Sequence, residues 1–332
     1  MRAPRHLITT QGACSVASLK GHEMQQTRTT TRRTAREKHL SEFHPTTRAC
    51  RAVLALVTLM LAVGAAVAGT VRLDGPMKQG GLVQGHTEAG TKIEFGGRVI
   101  RVSKDGVFLI GFGRDAPPET RLRITYADGN REWRVLKIAQ RKYRVQRIDD
   151  LPPDKVTPRE QDLVRIRSDI ALIKKARTRD DARTDFLSGF IWPVTGRITG
   201  VYGSQRILNG KPRRPHYGLD IAAPTGTPVL APADGIVTLA HPDMFYTGVT
   251  MIIDHGQGLS STFSHLSRLL VKEGARVRQG DPVAEVGATG RVHGAHLDWR
   301  INLFAERLDP KLALESMSAA ETRPKIQETS YK

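Results

Sequence analysis

Three segments decide the fold class of this chain: Gly235-Ile236-Val237-Thr238-Leu239, Val249-Thr250-Met251-Ile252-Ile253 and Leu259-Ser260-Ser261-Thr262-Phe263. Each is short and rich in β-branched or aromatic residues, which is typical of β-strands. Asp254-His255-Gly256 lies between the second and third segments and has the composition of a turn. The spacing therefore predicts antiparallel β-structure in this part of the chain.

A faint internal repeat surrounds these segments. Gly226-Thr227-Pro228-Val229 followed by Asp234-Gly235-Ile236-Val237 resembles Gly280-Asp281-Pro282-Val283 followed by Glu285-Val286-Gly287. Two related hairpin units, folded together, account for the repeat. We therefore expect an antiparallel β-barrel or sandwich domain over residues 191–312, with a loose tail at 313–332.

Residues 69–150 also have a β pattern, with short apolar or alternating runs separated by turns such as Asp105-Gly106. This pattern predicts a small N-terminal β-sandwich or barrel that serves as a spacer or docking module. Residues 151–190 are predicted to be a helical linker, with a charge-rich helix from residue 160 to about 187. The fold class predicted for the whole chain is thus mainly β.

The N-terminal 68 residues have a different composition. Residues 1–51 contain ten Lys and Arg but only three Glu, which indicates a basic disordered tail or a mis-set start codon. Residues 52–68 are uncharged and end in Ala66-Val67-Ala68, so they are predicted to be a signal peptide or a membrane anchor. Both cysteines, Cys14 and Cys50, precede that end, so no disulfide is expected in an exported mature chain.

The formal net charge of +18 would attract a polyanion such as nucleic acid, anionic lipid or a carboxylate-rich wall polymer. Only 5% of the residues are aromatic, and no nucleic-acid-binding motif is present. We therefore expect no nucleic-acid partner. Contact with a membrane is expected only through residues 52–68.

Five polar residues in the C-terminal part have the chemistry of a metal site: His216, Asp220, His265, His296 and Asp298. In the alternating run around residue 296, His296 and Asp298 are two apart, so in a strand both point to one face. Zinc binds His nitrogen and Asp oxygen, and catalytic zinc uses three protein ligands to activate water. Such short pairs also occur by chance as surface or capping pairs, and that alternative stays open on spacing alone.

Several short motifs occur here in one order and spacing, and together residues 193–310 resemble the lysostaphin/LytM-type zinc metalloendopeptidases, a family of peptidoglycan endopeptidases. The motifs are Gly203-Ser204-Gln205-Arg206, His216-Tyr217-Gly218-Leu219-Asp220-Ile221, Ala231-Pro232-Ala233-Asp234-Gly235, Ile253-Asp254-His255-Gly256, Ser264-His265-Leu266, Val286-Gly287-Ala288-Thr289-Gly290 and Gly294-Ala295-His296-Leu297. The resemblance implies that His216 and Asp220 bind one zinc ion. It also implies that His265 and His296 are catalytic histidines beside the metal.

Asp298 departs from the family pattern, in which this position is a histidine and the third ligand. Aspartate also binds zinc, so we expect Asp298 to be the third ligand, with Mn²⁺ as an alternative ion because a carboxylate suits harder cations. His293, in a Gly-flanked loop, is a less suitable substitute.

The resemblance implies a zinc-dependent endopeptidase that hydrolyses peptide cross-links between stem peptides of peptidoglycan. It also implies export to the periplasm or cell envelope, where residues 52–68 could anchor the chain in the inner membrane. The alternative is a catalytically weak or inactive LytM-type regulator that binds and activates a cell-wall amidase or another divisome component.

Overall fold

The structure is a computed structural model that describes residues 69–150 and 157–317. The described residues belong to one compact unit and are mainly β, as the sequence predicts. The basic segment 1–51, the apolar segment 52–68, both cysteines and residues 318–332 lie outside the described residues. Among the helices that are described, none combines the length and the hydropathy needed to cross a bilayer.

The N-terminal part contains two small antiparallel sheets. One has the strand order β1-β2-β5 and the other β4-β3-β6-β7. The strands are β1 (Arg72–Asp74), β2 (Leu82–His86), β3 (Lys92–Phe95), β4 (Arg98–Ile100), β5 (Val107–Gly111), β6 (Glu119–Thr125), β7 (Arg131–Lys137) and β8 (Val145–Ile148).

Strand β5, in the sheet β1-β2-β5, is buried on both of its faces. This explains why its apolar run is uninterrupted. Phe108 and Ile110 point to one face and pack with Ile93 of the second sheet. Val107 and Leu109 point to the other face and join the core of the C-terminal part. The predicted sandwich is therefore present and shares buried surface with the next β unit. The domain boundaries at residues 150 and 190 stay a prediction.

The C-terminal part is built on a ten-stranded sheet whose main path is β17-β14-β15-β16-β19-β12-β9. Strand β10 pairs with β11 and, in parallel, with β8 of the N-terminal part. The strands are β9 (Arg197–Gly200), β10 (Gln205–Leu208), β11 (Lys211–Pro212), β12 (Leu219–Ala222), β13 (Pro228–Leu230), β14 (Gly235–Met244), β15 (Gly248–Asp254), β16 (Leu259–Leu269), β17 (Arg276–Val277), β18 (Pro282–Val286), β19 (His296–Leu303) and β20 (Glu306–Leu308).

The linker helix is shorter than predicted. Helix α1 (Leu163–Ala176) follows a 3-10 turn at Glu160–Asp162, and another such turn covers Asp185–Ser188. Residues 177–184 are not helical, because the chain there bonds to the sheet domain: the Gln257 amide donates to the Asp181 carbonyl over 3.2 Å. The predicted helix to residue 187 is wrong beyond Ala176.

The predicted loose tail is also wrong over residues 313–317. Helix α2 (Pro310–Met317) begins with Pro at its first position, where the missing N–H has no cost. The Asp309 carboxylate precedes it and accepts from the Lys311 amide over 3.0 Å, which caps the helix. Ala313 and Met317 lie four residues apart and are both buried, so one face of the helix packs on the core.

Candidate metal centre

Two neighbouring strands bring the acidic residues of the site together. In the pairing of β12 with β19, Asp220 lies directly opposite Asp298. Side chains of directly opposed residues project to the same face of a sheet, so both carboxylates face one point. Leu297 and Trp299 project to the other face and are fully buried in the core. The alternation predicted for this run is confirmed.

His216, which precedes β12, completes a three-residue cluster with Asp220 and Asp298. One ligand atom from each lies within 4.8 Å of the other two, and all three residues are buried. The Nε2 atom of His216 is 3.1 Å from Oδ1 of Asp220 but forms no hydrogen bond with any residue in the described part of the chain. A buried nitrogen without a hydrogen-bond partner is costly. Its lone pair, beside two carboxylates, suits a divalent cation, so the three residues fit zinc.

Each carboxylate is also held by an arginine. The Arg206 guanidinium donates to Oδ2 of Asp220 over 2.9 Å, leaving Oδ1 towards His216. The Arg300 guanidinium binds both oxygens of Asp298, with Nε 2.9 Å from Oδ1 and 3.1 Å from Oδ2. Neither pair was predicted from the sequence, although Arg300 is two residues from Asp298 on the same strand face.

The arginines decide the charge state of the two aspartates. Burial by itself raises a carboxyl pKa. For Asp298 the Arg300 guanidinium overcomes that effect and holds the pKa well below its usual range. For Asp220, burial is outweighed by the neighbouring His216 side chain and by the positive charge of Arg206, so the pKa is also lowered. Both residues are therefore anionic at neutral pH and are competent ligands.

Two further histidines lie beside the cluster, with ring centroids 5.0 Å apart. Nδ1 of His265 donates to the Thr289 carbonyl over 2.8 Å, and Nδ1 of His296 donates to the Gly294 carbonyl over 2.9 Å. Each bond leaves Nε2 as the nitrogen that can exchange a proton. Burial lowers the pKa of His265, so this imidazole is neutral and can accept a proton.

The backbone of His265 has φ = 65°, a left-handed conformation that residues other than glycine rarely adopt. His265 lies where the pairing of β16 with β15 changes register, just before β16 begins to pair with β18 at Leu266. Its own amide donates to the Thr247 carbonyl over 2.8 Å, which holds the strained residue in place. Strain of this kind is often retained where it aims a functional side chain.

Two glycines make room for the carboxylates. A Cβ at Gly200 would lie 2.2 Å from Oδ2 of Asp220, and a Cβ at Gly218 would lie 2.4 Å from Oδ1 of Asp298. Any larger residue would displace the ligands. The glycine in His216-Tyr217-Gly218 was visible in the sequence, but its role depends on β19 lying next to it.

The cluster lies in an open groove of about 1270 Å³. All five predicted site residues line this groove, so the structure brings them together. The rim is basic, with Arg206, Arg213, Arg214, Arg291, Arg300 and Arg307. His293 also lines the groove but is exposed and is not part of the three-residue cluster, so Asp298 is the residue placed as third ligand.

Comparison with known proteins places the same segment in a known family. Residues 214–310 match the model of peptidase family M23. The chain is 33% identical over 158 residues to the peptidoglycan DD-endopeptidase ShyB of Vibrio cholerae, covering 46% of this chain and 32% of the relative. It is 38% identical over 124 residues to the lipoprotein NlpD/LppB homolog of Pseudomonas aeruginosa, covering 37% of this chain and 39% of the relative. The chain thus spans about a third of the length of these two curated relatives.

A crystal structure from Pseudomonas aeruginosa, assigned to peptidase M23, superposes with a TM-score of 0.55. Its sequence is 28% identical, and the match covers 72% of this chain and 95% of the other. The similarity thus extends beyond residues 214–310 and includes much of the N-terminal β structure. Together with the order of the site motifs, these matches show that residues 214–310 of this chain are similar to peptidase family M23.

Proposed function

We propose that the chain is a metal-dependent endopeptidase that hydrolyses peptide cross-links in peptidoglycan. One observation carries the proposal. The ligand atoms of His216, Asp220 and Asp298 lie within 4.8 Å of one another, and the imidazoles of His265 and His296 lie beside them in an open groove. A metal with adjacent proton acceptors is the minimum needed for amide hydrolysis.

The three clustered residues would hold the ion, and zinc fits this donor set, with Mn²⁺ as the alternative. When bound, such an ion supplies a Lewis acid that polarises a carbonyl and makes water more acidic. The set carries two negative charges, one more than a set in which Asp298 is a histidine. The ion is therefore a weaker Lewis acid in this chain.

The remaining chemistry belongs to the two flanking histidines. His265 is buried and neutral, and its free Nε2 suits the acceptance of a proton from the attacking water. Nε2 of His296 is 3.8 Å from Oδ1 of Asp220, at the edge of the cluster. From there a protonated His296 can donate to the oxygen that becomes negative in the tetrahedral intermediate.

The groove suits an acidic peptide. It is large and open to solvent, and its rim carries arginines, whose guanidinium groups pair with carboxylates. Stem peptides of peptidoglycan carry several carboxylates, and this match supports them as the substrate. Such a substrate requires that the chain act in the periplasm or cell envelope.

A second candidate function rests on the Arg300–Asp298 pair. A guanidinium that binds both oxygens of the third ligand competes with a cation for the same electrons. This contact favours a chain with weak metal binding, which acts by binding and activating a cell-wall amidase. One relative is a lipoprotein, the NlpD/LppB homolog of Pseudomonas aeruginosa, whose name describes no enzymatic activity.

The two functions differ in metal content and in products. The purified full chain is assayed for bound zinc and incubated with purified sacculi, and new peptide ends are counted. The wild type, His216→Ala and Asp298→Ala are compared, with Asp105→Ala as a control at an exposed turn aspartate. If the chain is an endopeptidase, the wild type and Asp105→Ala should produce new peptide ends, and His216→Ala and Asp298→Ala should not. A further variant, Asp298→His, should produce more new ends than the wild type. Absence of new ends with zinc or manganese added refutes the endopeptidase.

A further inference from the structure

A second cavity, of about 520 Å³, adjoins the groove of the metal centre. It lies where the end of α1 approaches the sheet strands β16 and β19. The described residues that line it include six cations and no carboxylate: Arg98, Lys174, Arg177, Arg214, Arg300 and Arg307. The remaining polar groups of the lining are the hydroxyls of threonines and one serine. We call it the arginine cavity.

Two polar atoms of the arginine cavity are buried and have no hydrogen-bond partner among the residues that the structure describes. Nη2 of Arg177 donates to Oγ1 of Thr262 over 2.8 Å, but Nε of the same guanidinium forms no hydrogen bond. Oγ of Ser264, which is fully buried, also has none. Buried donors are normally satisfied, so two such groups in one cavity indicate a missing acceptor.

The charges of the cavity are unbalanced as well. Burial, followed by the repulsion of Arg307 and Arg300, lowers the pKa of Arg177. Burial, and then Arg300, lower the pKa of Arg307 to about 10. Asp298 is the acid close enough to oppose this repulsion, and its two oxygens already bind Arg300. Like charges gathered in a partly desolvated space are stabilised by a bound anion.

We propose that the arginine cavity binds a carboxylate of an acidic peptide that lies in the groove of the metal centre. The peptide source follows from continuity, because Ile170, Arg214, Thr247, Arg300 and Arg307 line both spaces. A chain lying across the metal centre can therefore place an acidic group between Arg177 and Arg307. The inference rests on the proposed function and specifies which part of the substrate is recognised.

Calorimetry with the full chain tests the proposal. The probes are the peptide Ala-Glu-Lys-Ala with free carboxylates and the peptide Ala-Gln-Lys-Ala with an amidated C-terminus. The neutral chelator 1,10-phenanthroline is present, so no hydrolysis occurs and no chelator anion competes. We expect the acidic peptide to bind at least about tenfold more tightly, as charged hydrogen bonds do. Arg177→Gln should remove this preference and leave binding of the amidated peptide unchanged.

Arg307→Gln is a second variant, which keeps the test valid if Arg177→Gln does not fold. Arg72→Gln is the matched control, since it removes the same charge from a side chain that is 71% exposed in β1. The control should keep the full preference. Equal binding of the two peptides, or a preference that both cavity variants retain, overturns the proposal. Inorganic phosphate that binds at the cavity as tightly as the acidic peptide also overturns it, because the source is then a free anion.

The outcomes separate the two proposals. If sacculi are not hydrolysed but the carboxylate preference depends on Arg177, the endopeptidase function alone is lost and the cavity remains an acidic-peptide site. If sacculi are hydrolysed but the preference is absent, the assignment of the cavity alone is lost.

Discussion

Replacing Arg300 by Met removes the guanidinium that binds both oxygens of Asp298 and leaves a buried carboxylate without a cation. The Asp298 side chain is 3% exposed and the Arg300 side chain 23% exposed. Breaking a buried ion pair by removing one partner costs about 3–5 kcal/mol. Because Arg300 retains some contact with water, we expect the lower end of this range: the substitution should decrease the unfolding free energy of the metal-free protein by about 3 kcal/mol.

The same change should strengthen metal binding. In the wild type a cation competes with Arg300 for Asp298, whereas in Arg300→Met the cation is the sole partner of that carboxylate. Recovery of about 3 kcal/mol corresponds to an affinity for zinc up to about 100-fold higher. Zinc should therefore restore most of the stability that the substitution removes.

Two measurements check this prediction. Guanidinium chloride unfolding is followed with chelator and with excess zinc, and zinc affinity is measured against a chromophoric chelator. Arg206→Met is the matched control, because Arg206 binds one oxygen of Asp220 and its side chain is 31% exposed. The control should change stability by about 1 kcal/mol or less. Weaker zinc binding in Arg300→Met would refute the reasoning, since Arg300 would then orient the ligand for the metal.

Two other predictions concern histidines. His265→Ala should lower turnover of peptidoglycan cross-links about 10²–10⁴-fold by removing a proton acceptor. Its zinc content should not change, because His265 is outside the ligand cluster; zinc loss in His265→Ala but not in the remote His241→Ala would contradict this role. His255 is fully buried, between the Asp234 carbonyl and Ser261, and burial lowers its pKa to about 4. The folded state thus favours the neutral form of His255. The contribution of His255 to the free energy of unfolding is therefore full above pH 6.5 and decreases by up to about 3 kcal/mol as the pH falls towards 4. The gap in unfolding free energy between wild type and His255→Gln should narrow by that amount over this range. A gap that stays constant between pH 6.5 and pH 4 would contradict this role of His255. Burial raises the pKa of Asp254 to about 6, which has the opposite effect on stability, but both proteins contain Asp254 and the effect cancels in the comparison.

Local patterns were enough to predict most strands. The alternation on either side of Asp128-Gly129-Asn130 predicted the hairpin of β6 and β7, which the structure contains. The hairpin predicted at Asp105-Gly106 is wrong, because β4 and β5 on its two sides belong to different sheets. Alternation also predicted that His296 and Asp298 share a face, because the side-chain period of a strand is two. The same rule applied to Arg300 would have indicated its proximity to Asp298, so this contact was within reach of the sequence.

Helix boundaries were predicted less well. The charged residues continue past Ala176, but the segment that follows bonds to the sheet domain at Asp181. At the other end of the chain, residues 313–317 were expected to be loose. They form a helix because Asp309 caps it and its apolar face finds a core to cover.

The order and spacing of the motifs by themselves determined the fold class and the family resemblance and predicted five site residues, because strand period and ligand chemistry are local properties. The tertiary structure alone decided the charge environment of the site. Arg206 binds Asp220 from a different strand, and Arg177 comes from the end of a helix more than a hundred residues away in sequence from Asp298. Electrostatic interactions depend on distance and burial in space, which no spacing along the chain specifies.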